Sequence, residues 1–263
     1  MLEVKTLDKS YSSSTIPFQK KSVKVLENIS FRINKHETLC IVGESGCGKT
    51  TLAKCLVSLE KPDNGKIILE GRDVTFPDRK TLSFLHTKVQ MIFQNADTSL
   101  NPRHLIYDSL AEPLRLQGQN EDKVRKRVFQ LLSHVGLSEE HLHRHPHQLS
   151  GGQNQRIAIA RAIALHPDLL IADEITAALD VSVQAQILQL LKILKKEMDM
   201  TLLFISHDLA LVKRIADRVA VMQDGKLVEI NDTNEIFHNP QSPYTKELIS
   251  SMAKLSLNSH TPK

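Results

Sequence analysis

The chain has 263 residues and a net charge of +4, with 41% hydrophobic and 24% charged residues. These values are ordinary for a globular protein that buries a real core, in one large domain or two small ones. Only 4% of the residues are aromatic and none is tryptophan, which argues against a nucleic-acid stacking surface. The longest apolar runs have the length of strands and cannot span a bilayer. The N-terminal MLEVKTL lacks the layout of a signal peptide, so we expect a protein of the cytosol or the membrane periphery.

The predicted elements alternate between strands and helices along the chain. Strand-like apolar patterns occupy six segments, at 3–7, 24–33, 66–74, 169–172, 201–205 and 218–222. From about residue 99 to 147 the apolar spacing is helical, and a helix at 182–197 has one apolar face. We therefore predict an α/β core with a mostly parallel sheet, interrupted by one helical insertion.

The segment CIVGESGCGKTT at 40–51 contains the phosphate-loop pattern G-x-x-x-x-G-K-[ST]. Strand-like TLCIV precedes the loop and helix-like TTLAKCLVSL follows it, which is the context that the pattern requires. The backbone N–H groups of residues 44 to 49 are expected to wrap the β-phosphate, and Lys49 to reach the β- and γ-phosphate oxygens. Thr50 would offer its hydroxyl to Mg²⁺. The pattern therefore predicts a nucleotide-phosphate site.

The segment LSGGQNQR at 149–156 predicts a second anion site, in front of another predicted helix. Ser150 can cap this helix, and the two glycines after it let a ligand approach the backbone closely. The free N–H groups and the dipole at a helix N-terminus favour negative charge. Two such segments in one chain raise the question of which ligand the second one serves.

Two of the apolar strands end in residues suited to catalysis. LLIADE at 169–174 ends in two carboxylates; Asp173 is placed to hold Mg²⁺, and Glu174 to orient the attacking water. TLLFISHD reaches His207 in the same way, which suggests that this histidine faces the γ-phosphate. Taken alone, strand-end acids are often only solvated residues, and a lone histidine is more often structural.

Together these segments resemble the ATP-binding subunit of an ABC transporter over nearly the whole chain. GESGCGKT matches the Walker A motif, LSGGQ the ABC signature and LLIADE Walker B. ALD at 178–180 resembles the D-loop, His207 the switch histidine and Gln94 the Q-loop glutamine. MIFQNADTSLNPR at 91–103 and NPQSPYTKELISS at 239–251 resemble the oligopeptide, dipeptide and nickel importer branch, including relatives that take up antimicrobial peptides.

The resemblance implies a P-loop NTPase (RecA-like) core, an antiparallel β subdomain and an inserted α-helical subdomain. It implies one ATP-binding domain over 1–250, with the core at about 1–95 and 157–240, the helical subdomain at about 96–156 and a short tail at 239–263. In this family two domains pair head to tail, so that each ATP lies between one Walker A motif and the other domain's LSGGQ. The two anion sites of this chain would then serve two different nucleotides.

The resemblance also implies the roles of the site residues. Catalysis is expected from Glu174, His207, Gln94 and Lys49, and Mg²⁺ binding from Thr50, Gln94 and Asp173. The residues expected to bind ATP are Tyr11, Gly43, Glu44, Ser45, Gly46, Cys47, Gly48, Lys49, Thr50, Thr51, Gln94, Ser150, Gly151, Gly152, Gln153, Asp173 and Asp180. Tyr11 would stack on adenine, although the loop after it leaves an ordinary loop tyrosine as the alternative.

The implied function is ATP hydrolysis that energises a membrane importer for di- or oligopeptides. The implied partners are integral-membrane permease subunits, a second homologous ATPase subunit in a heterodimer or homodimer, and an extracytoplasmic substrate-binding protein; no nucleic acid is expected. The implied location is peripheral, at the cytoplasmic face of a bacterial inner membrane. Three alternatives stay open: an importer of nickel or a metal chelate, a soluble ABC ATPase outside transport, and a regulatory module that only binds ATP.

Several residues depart from the family pattern or suggest other chemistry. Ile175 stands where the family has proline, so the turn that holds Glu174 is expected to be looser. The histidines in HLHRHPHQ at 141–148 lack the fixed supporting ligands of a metal site, and we expect none there. The three cysteines all lie near the phosphate loop and none follows Cys55, so we expect reduced thiols and no iron–sulfur cluster. Cys47 is expected to be the most reactive, because Lys49 and a helix N-terminus favour its thiolate.

Overall fold

The computed structural model describes residues 1–13, 21–94 and 99–258. They divide into two compact units, one of Met1–Leu85 with the chain from Leu203 onward, and one of His86–Leu202. Among the described residues, no helix is both long enough and apolar enough to cross a bilayer.

The first unit contains an antiparallel sheet of four strands in the order β2-β1-β4-β5. The strands are β1 (Leu2–Ser13), β2 (Lys21–Ile33), β4 (Asn64–Leu69) and β5 (Arg72–Asp73). Leu2 and Val4 lie opposite Ile33 and Phe31 on β2, and all four side chains are buried. Alternate residues of a strand point to the same face, so this pairing places the apolar residues on one side of the sheet.

The same unit contains the strand and helix around the predicted phosphate loop. Strand β3 (Thr38–Val42) is buried along its whole length, pairs in parallel with β9 (Arg218–Gln223), and is followed by helix α1 (Lys49–Leu56). β9 returns as the antiparallel β10 (Lys226–Asp232). The turn between them has positive φ at Asp224 and Gly225, as a two-residue hairpin requires.

Three helices complete the later part of the first unit. They are α7 (Leu209–Ile215), α8 (Thr233–His238) and α9 (Pro243–Asn258). Helix α9 packs against α7 and β10, and Thr245 in its first turn is fully buried. The C-terminal segment is therefore part of the folded unit from its first turn.

The second unit combines two parallel strands with the helical insertion. Strands β6 (Val89–Ile92) and β7 (Leu169–Asp173) pair in parallel, with Met91 opposite Ile171. The helices are α3 (Ile106–Leu116), α4 (Glu121–His134), α5 (Gly151–Ala162) and α6 (Val181–Glu197). Helices α3, α4 and α5 pack against one another, and two 3-10 turns, Glu139–His143 and Pro146–Gln148, lead from α4 to α5.

Two elements cross the boundaries between the units along the sequence. Helix α2 (Arg79–Lys88) starts in the first unit and ends in the second, and β8 (Thr201–Ile205) starts in the second and ends in the first. The antiparallel sheet, the parallel strands with their helices and the helical insertion are the parts that the sequence predicted. The predicted α/β class is therefore confirmed.

Candidate nucleotide site

The phosphate loop joins β3 to α1 and depends on glycine at both ends. Gly43, Gly46 and Gly48 all have positive φ. A Cβ on Gly43 would lie 2.1 Å from the carbonyl oxygen of Met222, and one on Gly48 would lie 2.7 Å from that of Val25. Both distances are far below a normal contact, so the backbone can follow this path only with glycine at these positions.

Lys49 lies inside the loop and is only 4% exposed. Its Nζ donates to the carbonyl oxygens of Gly43 and Glu44, both at 2.8 Å. A phosphate oxygen competes well for such an ammonium, because a charged acceptor forms a stronger hydrogen bond than a neutral carbonyl. The hydroxyl-bearing Thr50 follows Lys49 at the start of α1 and is exposed. The loop therefore carries a cation and a hydroxyl at the phosphate site that the sequence predicts.

Two N–H groups of the loop are already hydrogen-bonded within the protein. The N–H of Cys47 donates to the carbonyl of Glu44 at 3.4 Å. The N–H of Glu44 donates to the hydroxyl of Tyr244 at 3.2 Å. Tyr244 lies in the SPYT segment, which sequence reasoning used only as a family signature, and no local pattern linked it to the phosphate loop.

The three cysteines are buried and free. Burial raises the pKa of the Cys47 thiol, and the nearby Lys49 lowers it by less. Lys49 favours the thiolate, as the sequence suggested, but desolvation outweighs the attraction of the ammonium and the pKa of Cys47 lies above its ordinary value. Burial also raises the pKa of Cys55, to about 12. Cys47 is nevertheless the most exposed of the three, at 7% against 2% for Cys55 and 0% for Cys40.

In the second unit, the two predicted acids lie at and just after the end of strand β7. Asp173 is buried at the end of β7, and Glu174 follows with a positive φ of 48°. Gln94 Nε2 donates to Glu174 Oε2 at 3.0 Å. Positive φ is uncommon for a residue with a side chain. Ile175 is 1% exposed, so a buried side chain anchors the turn that follows Glu174.

The signature segment forms the N-terminus of α5, with Ser150 as its cap. The N–H of Gln153 donates to Ser150 Oγ at 3.3 Å, and the N–H of Ser150 donates to Gln153 Oε1 at 2.9 Å. This reciprocal pair is a capping box, which confirms the predicted role of Ser150 as a cap. Ser150 and Gly151 are exposed. The N-terminus of α5 is therefore stabilised by hydrogen bonds between its own residues, and its first residues are accessible to a ligand.

The histidine-rich segment before α5 makes structural hydrogen bonds. His141 is buried; its Nδ1 lies 2.9 Å from Ser138 Oγ, and its Nε2 lies 3.2 Å from Gln153 Nε2. The rings of His145 and His147 stack with centroids 5.5 Å apart. Among the described residues, no cluster of three or more histidine, cysteine or acidic side chains is arranged to hold a metal ion. His141 instead supports the glutamine that closes the capping box.

The other predicted site residues lie at exposed positions. His207 is exposed two residues after the end of β8. The next residue, Asp208, caps α7 by accepting from the N–H of Ala210 at 2.8 Å. Asp180 is exposed in front of α6. Tyr11 on β1 is 39% exposed. All three side chains are accessible to a ligand, and their predicted roles in ATP binding and hydrolysis stay predictions.

A glycine loop between a buried strand and a helix, with a lysine and a hydroxyl residue beginning that helix, defines a P-loop nucleotide-binding protein. Residues 26–177 match the family model described as ABC transporter. With 45% identity over 96% of its length, the chain is similar to the oligopeptide transport ATP-binding protein OppF of Bacillus subtilis and covers 82% of it. It is 44% identical to the dipeptide transport ATP-binding protein DppF of Escherichia coli over 89% of this chain and 70% of that protein.

A solved structure with a similar fold is the ATP-binding cassette MJ0796, described as a dimer in a post-hydrolysis state bound to ADP and Pi. Its TM-score to this chain is 0.79 at 29% identity, and the match covers 89% of this chain and 99% of the other. The chain belongs to the ABC transporter family of ATP-binding proteins. It is an ABC-type ATPase, and the predicted P-loop fold is confirmed.

Proposed function

We propose that this ATPase powers the import of di- or oligopeptides, as a peripheral subunit at the cytoplasmic face of a bacterial inner membrane. The observation that supports this most is the extent of similarity to OppF and DppF, whose names state oligopeptide and dipeptide transport. The similarity covers 96% and 89% of the chain, well beyond the motifs common to all ABC ATPases. Integral-membrane permease subunits and an extracytoplasmic substrate-binding protein complete the proposed system.

The proposed nucleotide is ATP with Mg²⁺, and the chain has donors of the type that Mg²⁺ prefers. The Thr50 hydroxyl, the Asp173 carboxylate and the Gln94 amide oxygen are hard oxygen ligands. Mg²⁺, when bound, would neutralise charge on the β- and γ-phosphate oxygens. Lys49 would exchange its bonds to the Gly43 and Glu44 carbonyls for bonds to phosphate oxygens. Tyr11 would stack on the adenine ring through its exposed face.

Glu174 is the proposed group that orients the attacking water. Gln94 already donates to one oxygen of this carboxylate, which helps to hold the side chain in one orientation. His207 is proposed to contact the γ-phosphate. Such a site accelerates hydrolysis mainly by positioning the water and by stabilising charge on the transferring group.

A second ATPase subunit is proposed to complete each site. Ser150, Gly151, Gly152 and Gln153 form a helix N-terminus that suits a phosphate, and its first two residues are exposed. In a head-to-tail pair, identical or heterodimeric, this end of one chain would close over the nucleotide of the other, with Asp180 near the junction. The proposed domain division keeps a core at about 1–95 and 157–240, a helical subdomain at about 96–156 and a tail at 239–263.

Peptide uptake in cells tests the proposal directly. A strain that lacks the gene is complemented with the wild-type chain or with Glu174→Gln. The uptake of radiolabelled di-, tri- and tetrapeptides is measured beside that of radioactive nickel. We expect wild type alone to restore peptide uptake, with nickel uptake the same in all strains. Unchanged peptide uptake in the deletion strain, or restored nickel uptake instead, would contradict the peptide assignment and leave the ATPase class intact.

A further inference from the structure

The C-terminal helix makes a direct contact with the phosphate loop. Tyr244 lies in the first turn of α9, 200 residues after Glu44, and its hydroxyl accepts the N–H of that residue at 3.2 Å. Glu44 is the second residue of the loop and follows Gly43, whose path is fixed by its close approach to Met222. The contact therefore reaches the loop at the end nearer to β3.

The turn that carries Tyr244 is itself held by an acid on β10. Glu229 accepts the N–H of Gln241 through Oε1 and the N–H of Ser242 through Oε2, both at 2.9 Å. Burial opposes ionisation of this carboxyl, but the N–H groups of Gln241 and Ser242 act in the other direction together with the nearby Thr245 hydroxyl and Lys246 ammonium, and the pKa of Glu229 is lowered. Two charge-assisted bonds thus fix the start of α9 and present the phenol to the loop.

Lys49 and Tyr244 hold the same part of the loop through different groups. The Lys49 ammonium holds the carbonyls of Gly43 and Glu44, and the phenol holds the N–H of Glu44. Phosphate binding would draw the ammonium away from the carbonyls, because it competes for the same protons. The phenol oxygen and a phosphate oxygen are both acceptors, so they would compete for the N–H of Glu44. In the arrangement inferred here Tyr244 keeps this N–H, phosphate takes later N–H groups of the loop, and the Tyr244 contact persists when the lysine contacts are exchanged for phosphate.

We propose that Tyr244 is a positioning residue for the phosphate loop, through which the seating of the C-terminal helix sets the chain's own affinity for nucleotide. The hydroxyl, rather than the ring, carries this role, since the hydroxyl makes the bond to the Glu44 N–H. The inference rests on nucleotide binding by the loop and not on the peptide cargo. A chain that hydrolyses ATP but fails in peptide uptake would therefore leave it standing.

Tyr244→Phe removes the hydroxyl and keeps the ring, and Tyr107→Phe is the matched control. Tyr107 lies on α3 in the second unit, with its ring 5.7 Å from the Arg115 guanidinium, and it has no proposed role at the nucleotide. A net hydrogen bond between neutral groups corresponds to about threefold to tenfold in an equilibrium constant. We therefore expect Tyr244→Phe to raise the Kd for Mg-ADP and the KM for Mg-ATP about threefold to tenfold. A loss that acts through binding leaves kcat within about twofold.

Fluorine NMR on the full chain supplies a readout that a loss of fold stability alone would not produce. The chain has three tyrosines, so labelling with 3-fluorotyrosine gives three signals, which Tyr244→Phe and Tyr107→Phe assign. We expect the Tyr244 signal to shift on saturation with Mg-ADP and the Tyr107 signal to stay in place. Equal nucleotide affinities in the two phenylalanine variants, or a Tyr244 signal that ignores Mg-ADP, would overturn the inference.

Discussion

Replacing Gly152 by alanine tests whether the signature helix is packed as the structure shows. A Cβ on Gly152 would lie 2.9 Å from Val183 Cγ1, whereas a Cβ on the adjacent Gly151 would lie 3.9 Å from Leu179 Cδ2. The second distance is an ordinary contact, but the first requires a shift. Val183 is β-branched and stands in the first turn of α6, so its side chain has little freedom to turn away. Gly151→Ala is therefore a matched control on the same helix.

The two substitutions are expected to change stability in opposite directions. Alanine in place of glycine in a helix interior stabilises by up to about 1 kcal/mol, and Gly151→Ala, in the first turn, should show part of this gain. Overpacking costs about 1–3 kcal/mol, which offsets the gain at Gly152 and leaves a net loss of up to about 2 kcal/mol. The two variants should thus differ by about 1–3 kcal/mol. At this chain length, that difference corresponds to a separation in melting temperature of at least about 2 °C.

Thermal unfolding of the purified variants, followed by circular dichroism, measures this difference. The double variant Gly152→Ala with Val183→Ala removes the methyl group that clashes, and it should recover stability relative to the sum of the single changes by about 1 kcal/mol or more. ATPase activity is measured in parallel. Under the proposed two-chain site, Gly151→Ala should be stable and still lose activity, because its methyl group projects from the exposed N-terminus of α5.

A particular pair of results would refute this reasoning. If Gly152→Ala melts at or above Gly151→Ala, then α6 is not packed against α5 at the distance described. If the double variant shows no recovery, Val183 is not the residue that opposes the added methyl group. Full ATPase activity in Gly151→Ala would leave the packing argument intact and contradict the proposed role of the signature glycines.

Three further results are expected from the site as described. Glu174→Gln should retain ATP binding and lower the hydrolysis rate at least about a hundredfold, because it removes the carboxylate proposed to orient the attacking water. Phosphate release at saturating Mg-ATP measures the rate, and near-normal turnover would assign the water-orienting role elsewhere. The ATPase rate per molecule should rise with protein concentration, and Ser150→Arg should abolish hydrolysis while leaving the chain's own Kd for ATP within about threefold. A rate per molecule that stays constant in a proven monomer would contradict the two-chain site. Maleimide labelling of Cys47 should be slow at pH 7, should accelerate about tenfold per pH unit while the thiol stays mostly protonated, and should slow on addition of Mg-ATP. Mass spectrometry identifies the labelled residue, and labelling of Cys55 before Cys47 would contradict the described burial.

The fold could be predicted wherever burial on both faces leaves a continuous apolar run. TLCIV, LLIA and LLFI appear in the structure within β3, β7 and β8, and all the residues of these strands are buried. Helix α2 and strand β6 were not predicted, because β6 begins at the residue after α2 ends, with no glycine or proline between them. VQMI is also only half-buried, so neither an apolar run nor a clean alternation marks it.

The site could be predicted where its contacts are local in sequence. The capping box joins Ser150 to Gln153 three residues later, and the pattern S-x-x-Q is visible in the sequence itself. The bond between Gln94 and Glu174 spans 80 residues, and only the family resemblance placed both residues at one site. The pKa of Cys47 depends on how deeply the loop is buried. A nearby lysine and helix are visible in the sequence, but the depth of burial is not.

The two anion sites differ in construction, and the difference bears on how each is proposed to work. The phosphate loop obtains its shape from three glycines of positive φ, so the path of its backbone is set before any ligand arrives. The signature segment uses ordinary helical backbone at Gly151 and Gly152, with Ser150 as the cap. A serine hydroxyl has one donor and two acceptor positions. Ser150 accepts the N–H of Gln153, and its own proton stays available as a donor. The same hydroxyl can therefore cap the helix and donate to a phosphate of the opposing chain, which alanine at this position could not do.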